Sequence, residues 1–282
     1  MANEKFSAAP GPIGIFDSGY GGLTIFDKIR SLMPDYDYVY LGDNARAPYG
    51  PRSFEIVYEF TREAVKWLFH SGCQLVILAC NTASAKALRS LQQNDLPDWD
   101  PQRRVLGVIR PTVEVVDQLS RTKHVGVLGT AGTIASHSYE LEIGKLFPNI
   151  RVTGKACPMW VPLVEYNEYA SDGADYFIQK YINELMNMDP KIDTIILGCT
   201  HYPLLMNKIR KYLPEGVNMF SQGEYVATSL VDYLKRHSDL ESRLTRGGRQ
   251  FFFTTESAEK FSSTASVFLS NPIHVQQVSI DE

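Results

Sequence analysis

Two cysteines in this chain close nearly the same sentence. Val76-Ile77-Leu78-Ala79-Cys80-Asn81-Thr82 and Ile195-Ile196-Leu197-Gly198-Cys199-Thr200-His201 are each an apolar, β-branched run ending on a small residue, a cysteine and two polar residues. Such a run reads as a strand buried on both faces that delivers a thiol to its carboxyl end, where open α/β sheets place their chemistry. Two equivalent thiols suit a reaction that needs the same group on both sides of one substrate atom. A helix is expected to begin within a few residues of each cysteine. Its backbone N–H groups and positive end would lower a thiol pKa from about 8.5 toward neutrality. His201 would leave the same face as Cys199 if the strand held that far. A free cysteine is more often a buried filler, but the repetition favours chemistry.

Other segments carry polar groups to loop positions. Asp17-Ser18-Gly19-Tyr20-Gly21-Gly22 puts a carboxylate and a hydroxyl where a strand gives way to a Gly-rich turn. It lacks the Lys-Ser/Thr ending of a P-loop and the spacing of a dinucleotide fingerprint, and a helix N-cap is the simpler role for Asp17. The loop from Leu41-Gly42-Asp43 to Ala47-Pro48-Tyr49-Gly50 can present backbone N–H groups and a tyrosine. Ser18, Asn81, Thr82, Thr130, Thr133 and Thr200 add small hydroxyls and an amide. Groups of this kind bind carboxylates by hydrogen bonds without a dedicated arginine.

The elements that must position these groups alternate along the chain. Apolar runs predict strands at 13–16, 38–41, 75–79, 105–109, 125–128, 150–153, 194–198 and 250–253, with an extended piece at 274–278. Helical spacing predicts helices at 23–33, 54–69, 83–91, 111–119, 134–147, 172–188, 203–213, 224–236 and 256–269, and an extended connection at 94–101. Strands separated by helices of this length mean a parallel sheet and the α/β class. A second echo, Ile13-Gly14-Ile15-Phe16-Asp17-Ser18-Gly19 against Val125-Gly126-Val127-Leu128-Gly129-Thr130-Ala131, keeps the order and nearly the offset of the cysteine pair. Two related α/β halves are expected.

Composition sets the remaining bounds. The 282 residues are 44% hydrophobic and 21% charged, with a net charge of −4, which argues against nucleic acid as the main partner. No apolar run reaches membrane-spanning length and the start lacks a signal-peptide core, so a cytoplasmic protein is expected. The four cysteines, Cys73, Cys80, Cys157 and Cys199, form no CxxC and join no histidine cluster, so neither disulfide nor metal site is expected.

Taken together, Phe16-Asp17-Ser18-Gly19-Tyr20-Gly21-Gly22, Gly42-Asp43 to Pro48-Tyr49-Gly50, Ala79-Cys80-Asn81-Thr82-Ala83-Ser84, Leu128 to Thr133, Cys157-Pro158 to Glu165 and Leu197-Gly198-Cys199-Thr200-His201-Tyr202-Pro203 resemble the glutamate racemases. The resemblance runs from about residue 12 to the end of the chain. It implies a cofactor-independent enzyme that interconverts L- and D-glutamate and supplies D-glutamate for peptidoglycan. It implies Cys80 and Cys199 as the acid/base pair, with Asp17 supporting Cys80 and with Glu165 and His201 supporting Cys199. Substrate contacts implied are Asp17, Ser18, Tyr49, Gly50, Asn81, Thr82, Thr130, Thr133, Thr200 and His201. The implied fold is two similar open parallel-sheet α/β domains with the active site between them, residues 1–105 with 220–282 forming one and 106–219 the other, and a homodimer. Aspartate or hydantoin racemases share the two-cysteine plan; a cysteine-nucleophile hydrolase would leave the second thiol unexplained. The chain departs from the family pattern at Arg110, where Glu is usual, at Tyr166-Asn167, and at Ser221-Gln222, where Asp-Ser is usual.

Overall fold

The computed structural model describes residues 6–269 and 271–280; α-helices of five residues or more are numbered here. The first strands are β1 (Ile13–Asp17), β2 (Tyr38–Gly42), β3 (Leu75–Leu78) and β4 (Arg104–Gly107), with α1 (Leu23–Leu32), α2 (Phe54–His70) and α3 (Asn81–Lys86) between them. After α4 (Ile109–Val113) comes a second set, β5 (His124–Gly129), β6 (Arg151–Ala156), β7 (Thr194–Gly198) and β8 (Asn218–Phe220). Its helices are α5 (Ala131–Ala135), α6 (Ser138–Leu146), α7 (Trp160–Glu165), α8 (Asp172–Met188) and α9 (Met206–Tyr212). The chain then forms α10 (Gly223–Arg236), β9 (Gln250–Thr254), α11 (Ala258–Ala265) and β10 (Val275–Gln277).

Two sheets result, ordered β10-β9-β2-β1-β3-β4 and β6-β5-β7-β8, with every pairing parallel. Setting β9 and β10 aside, the second sheet repeats the strand order of the first. β3 and β7 therefore hold equivalent places, and so do β1 and β5. The echoes in the sequence fall on these equivalent strands. Each order reverses at the central strand, and the carboxyl ends beside that reversal are where such sheets bind ligands.

Burial on both faces explains the unbroken apolar runs: all residues of β1, β3 and β7 are buried. Ser53 caps α2 by accepting from the Ile56 N–H, and the helix lays Val57, Ala64, Val65, Leu68 and Phe69 against one face of the first sheet. Leu23, Phe26 and Ile29 of α1 pack with Val226, Leu230 and Leu234 of α10 on the other face. Each such fully buried side chain stabilises the fold by about 1.5–3 kcal/mol. No helix among the described residues is long and apolar enough to cross a membrane.

Several expected elements differ. The helix expected at 134–147 is two, α5 and α6, parted by His137 in the left-handed region at φ 53°. The connection expected to be extended at 94–101 is helical as far as Trp99, with Asp95 turned inward to accept from Tyr58 Oη at 2.5 Å and Arg62 Nε at 2.6 Å. The helix expected at 203–213 opens as a 3-10 turn, Tyr202–Leu205, before α9. The short strand β8 and helix α7 carry too few periodic residues to be read from pattern alone.

Candidate active site

The carboxyl ends of β3 and β7 face one cavity of about 390 Å³, a size suited to a small molecule. Cys80 and Cys199 both line it, each about 6% exposed. Ser18, Tyr49, Gly50, Asn81, Thr82, Thr130, Thr200, His201 and Glu165 line it too. Asp17 and Thr133 are buried just behind the wall. The sequence-derived set is thus brought together from six separate segments. None of the lining residues is Lys or Arg, so negative groups entering here meet hydroxyls, the Asn81 amide and the His201 imidazole, with Glu165 beside it.

Cys80 stands at the N-cap of α3. Its sulfur accepts from the Ala83 N–H at 3.4 Å and lies 3.4 Å from Ser18 Oγ. The expected lowering by the helix terminus does not prevail. Burial, reinforced by the nearby Asp17 carboxylate, pushes the thiol up to about 12, with Ser18 and Ala83 opposing. Asp17 accepts from the Gly19 N–H at 2.9 Å through Oδ2, while its buried Oδ1 has no hydrogen-bond partner. Burial raises the Asp17 pKa, and His201 and the Gly22 and Gly19 N–H groups oppose the rise.

The Cys199 side is built differently. β7 ends at Gly198, so the side chains of Cys199 and His201 do not meet by strand alternation; a tight turn into the 3-10 helix brings them together. His201 Nδ1 lies 3.9 Å from the Cys199 sulfur and Nε2 lies 3.1 Å from Glu165 Oε1. Burial disfavours the imidazolium, but the bonds and charges of Cys199 and Glu165 outweigh it and hold the His201 pKa at about 10. Glu165 is the last residue of α7, which explains how a residue distant in sequence reaches the imidazole.

Threonines join the two halves across the cavity. Thr82 Oγ1 lies 3.0 Å from Thr130 Oγ1 and 3.4 Å from Thr133 Oγ1, and the Thr130 hydroxyl caps α5 by accepting from the Thr133 N–H at 3.2 Å. Gly21 permits the closest approach. A Cβ there would stand 2.3 Å from Thr200 Oγ1 and 2.4 Å from His201 Nδ1. The Tyr49 hydroxyl donates to the buried Asp43 carboxylate, which also accepts from Arg46 Nε at 2.7 Å and Thr255 Oγ1 at 2.8 Å. Sequence reasoning gave no role to Asp43. It also left Cys157 unassigned, a third buried thiol lining the cavity, which burial pushes well above its ordinary pKa.

A fold of two matching parallel sheets with a strand-end thiol from each in one cavity defines the class. The chain belongs to the Asp/Glu/Hydantoin racemase family, whose model matches residues 23–229. Among its relatives, the glutamate racemase of a Ruegeria species is 38% identical over 271 residues, covering 93% of this chain and 97% of that protein. The structure of a glutamate racemase isoform from Bacillus anthracis superposes with a TM-score of 0.86 at 35% identity, covering 95% of this chain and 97% of that one. That of the Francisella tularensis glutamate racemase, in complex with D-glutamate, gives 0.85 at 33% identity, covering 96% and 98%.

Proposed function

We propose that this protein interconverts L- and D-glutamate with Cys80 and Cys199 as paired acid and base, requiring no cofactor. The observation that carries the reading is the placement of two buried thiols at the ends of equivalent strands, β3 and β7, in one cavity. Racemisation removes a weakly acidic Cα proton from one face and returns one to the other. Each thiol must serve as base in one direction and as acid in the other, which a like pair does equally well both ways. With Cys199 taken as the base toward L-glutamate, as the family resemblance implies, the titration directions suit the L-to-D direction at rest. Cys80, pushed up to about 12, holds its proton as the acid, and His201, protonated up to about 10, points Nδ1 at the sulfur of Cys199, the base. For the reverse direction Asp17, whose pKa is raised, is the group beside Cys80 able to hold a proton.

Pro48, Val161 and Pro162 give the cavity an apolar wall beside its hydroxyls; a bound substrate would displace water from it, which would strengthen hydrogen bonds to the carboxylate as negative charge develops. Ser18, Asn81, Thr82, Thr130 and Thr200, with the backbone at Tyr49-Gly50, are assigned to the substrate's carboxylates and ammonium, with Thr133 bracing Thr82 and Thr130. The D-glutamate held by the Francisella relative supports this choice of substrate. The product would serve peptidoglycan synthesis in the cytoplasm, and the active form would be a homodimer of chains each divided into 1–105 with 220–282 and 106–219. The test is circular dichroism of L-glutamate with pure protein and no added cofactor, run in deuterated water. Decay of the signal with deuterium appearing at Cα is expected; unchanged L-glutamate, or turnover without deuterium, overturns the reading.

A further inference from the structure

Gln222 stands where the family pattern carries serine, at the turn between β8 and α10, and is 2% exposed. Its side chain closes a ring of hydrogen bonds. Asn81 Nδ2 donates to Gln222 Oε1 at 2.6 Å, Gln222 Nε2 donates to Tyr139 Oη at 2.8 Å, and Tyr139 Oη donates to Asn81 Oδ1 at 2.8 Å. The direction of the ring is fixed from outside it. Gln222 Nε2 also faces Thr112 Oγ1 at 2.9 Å and the Val108 carbonyl at 3.4 Å, while the Thr112 hydroxyl itself donates to Val108 O at 2.6 Å. A carbonyl can only accept, so the nitrogen of Gln222 must lie on this side and its oxygen toward Asn81.

The ring sits where the halves meet. Asn81 opens α3 beneath the first sheet, Tyr139 lies on α6 of the second, and Val108 and Thr112 belong to the first connection between the sheets, Gln222 to the second. Asn81 immediately follows Cys80 and lines the cavity. The ring uses one of its two N–H donors and one of its two carbonyl lone pairs. A flipped Asn81 amide would set oxygen against Gln222 Oε1 and take from the Tyr139 hydroxyl the acceptor for its proton. Closed rings of this kind act as a unit and hold their members in one orientation.

We infer that Gln222 is a positioning residue for substrate binding: acting through Asn81 and Tyr139, it fixes where Asn81 presents its remaining N–H and lone pair to the amino-acid substrate. The inference rests on the proposed racemase reading. Its test compares kcat and KM for L- and D-glutamate, with thermal midpoints, in the wild-type protein, Gln222→Met and Tyr139→Phe. Gln222→Met fills the same space without the amide, and Tyr139→Phe removes the hydroxyl alone. A rise in KM of about tenfold in Gln222→Met and about threefold in Tyr139→Phe is expected, with kcat changed less than KM in both. If Gln222→Met does not fold, Tyr139→Phe decides. KM within twofold of wild type in the folded variants overturns the inference, whatever happens to kcat or the midpoint, and leaves the racemase reading standing. A wild-type protein that does not racemise glutamate overturns both.

Discussion

His201 Nδ1 lies 3.9 Å from the Cys199 sulfur, whereas the neighbour of the Cys80 sulfur is the hydroxyl of Ser18 at 3.4 Å. The strands behind the two thiols are equivalent, but their supports are not. One thiol is served by an imidazole backed by Glu165, the other by a hydroxyl, a helix N–H and the buried carboxylate of Asp17.

On the proposed two-base mechanism, removing either thiol stops the reaction in both directions, because each would be acid for one enantiomer and base for the other. Cys80→Ser and Cys199→Ser should each lower turnover of both enantiomers by about 10²–10⁴-fold, read by circular dichroism. Either variant at full turnover would sink the two-base assignment.

On the proposed mechanism, His201 links activity to stability. Its pKa of about 10, against an ordinary 6.5, means that the folded chain binds this proton more tightly than the unfolded chain. The stabilisation is complete below about pH 6.5 and is lost as pH climbs through about 10. Urea unfolding should show His201→Asn weakest relative to wild type near pH 6, with the gap narrowing toward pH 10. The same variant should lower kcat for L-glutamate by about 10²-fold. A gap that widens with pH would contradict the protonated imidazole.

The repeated strand-cysteine pattern and the Asp17 and Thr130 turns were legible in the sequence because buried parallel strands write continuous apolar runs and end on small polar residues. They pointed to two related halves and to two thiols facing one site, whereas the order of the strands in each sheet is seen only in the structure. The meeting of His201 with Cys199 was legible only as proximity, since the turn after Gly198, not strand alternation, produces it. Helix α7 was hidden because Pro162 breaks the pattern of a six-residue element, although a proline so near the start of a helix displaces no intrahelical bond. The depth of burial around Cys80 was hidden for a different reason. It depends on residues from separate segments, among them Phe16, Ser18, Tyr49 and Ala83, gathering around the thiol, which no local window records.

Tyr49 separates lining the cavity from serving it. Its hydroxyl is spent on Asp43, so Tyr49→Phe removes a buried donor from a carboxylate that keeps Arg46 and Thr255. The expected cost is about 1–3 kcal/mol of stability by denaturant unfolding, with KM and kcat for glutamate within about threefold of wild type. A loss of turnover beyond about tenfold without loss of stability would place the hydroxyl on the substrate instead.

Gly21 tests the contact between the Gly-rich turn of one half and the thiol-bearing turn of the other. An alanine there drives its methyl group into Thr200 Oγ1 and His201 Nδ1, at 2.3 and 2.4 Å. Thr200 cannot retreat freely, because its carbonyl accepts from Thr24 Oγ1 at 3.0 Å, and the His201 ring is held by Glu165. The strain falls on the Cys199–His201 pair rather than on the core. Gly21→Ala should cost about 1–3 kcal/mol in unfolding free energy. It should also lower kcat by more than about tenfold, since misplacing an acid/base partner by an ångström is that costly. The control is Gly144→Ala, where nothing lies within 4 Å of the added methyl group and activity should be unchanged. Equal activity in Gly21→Ala and Gly144→Ala would show that the two turns do not press together as described.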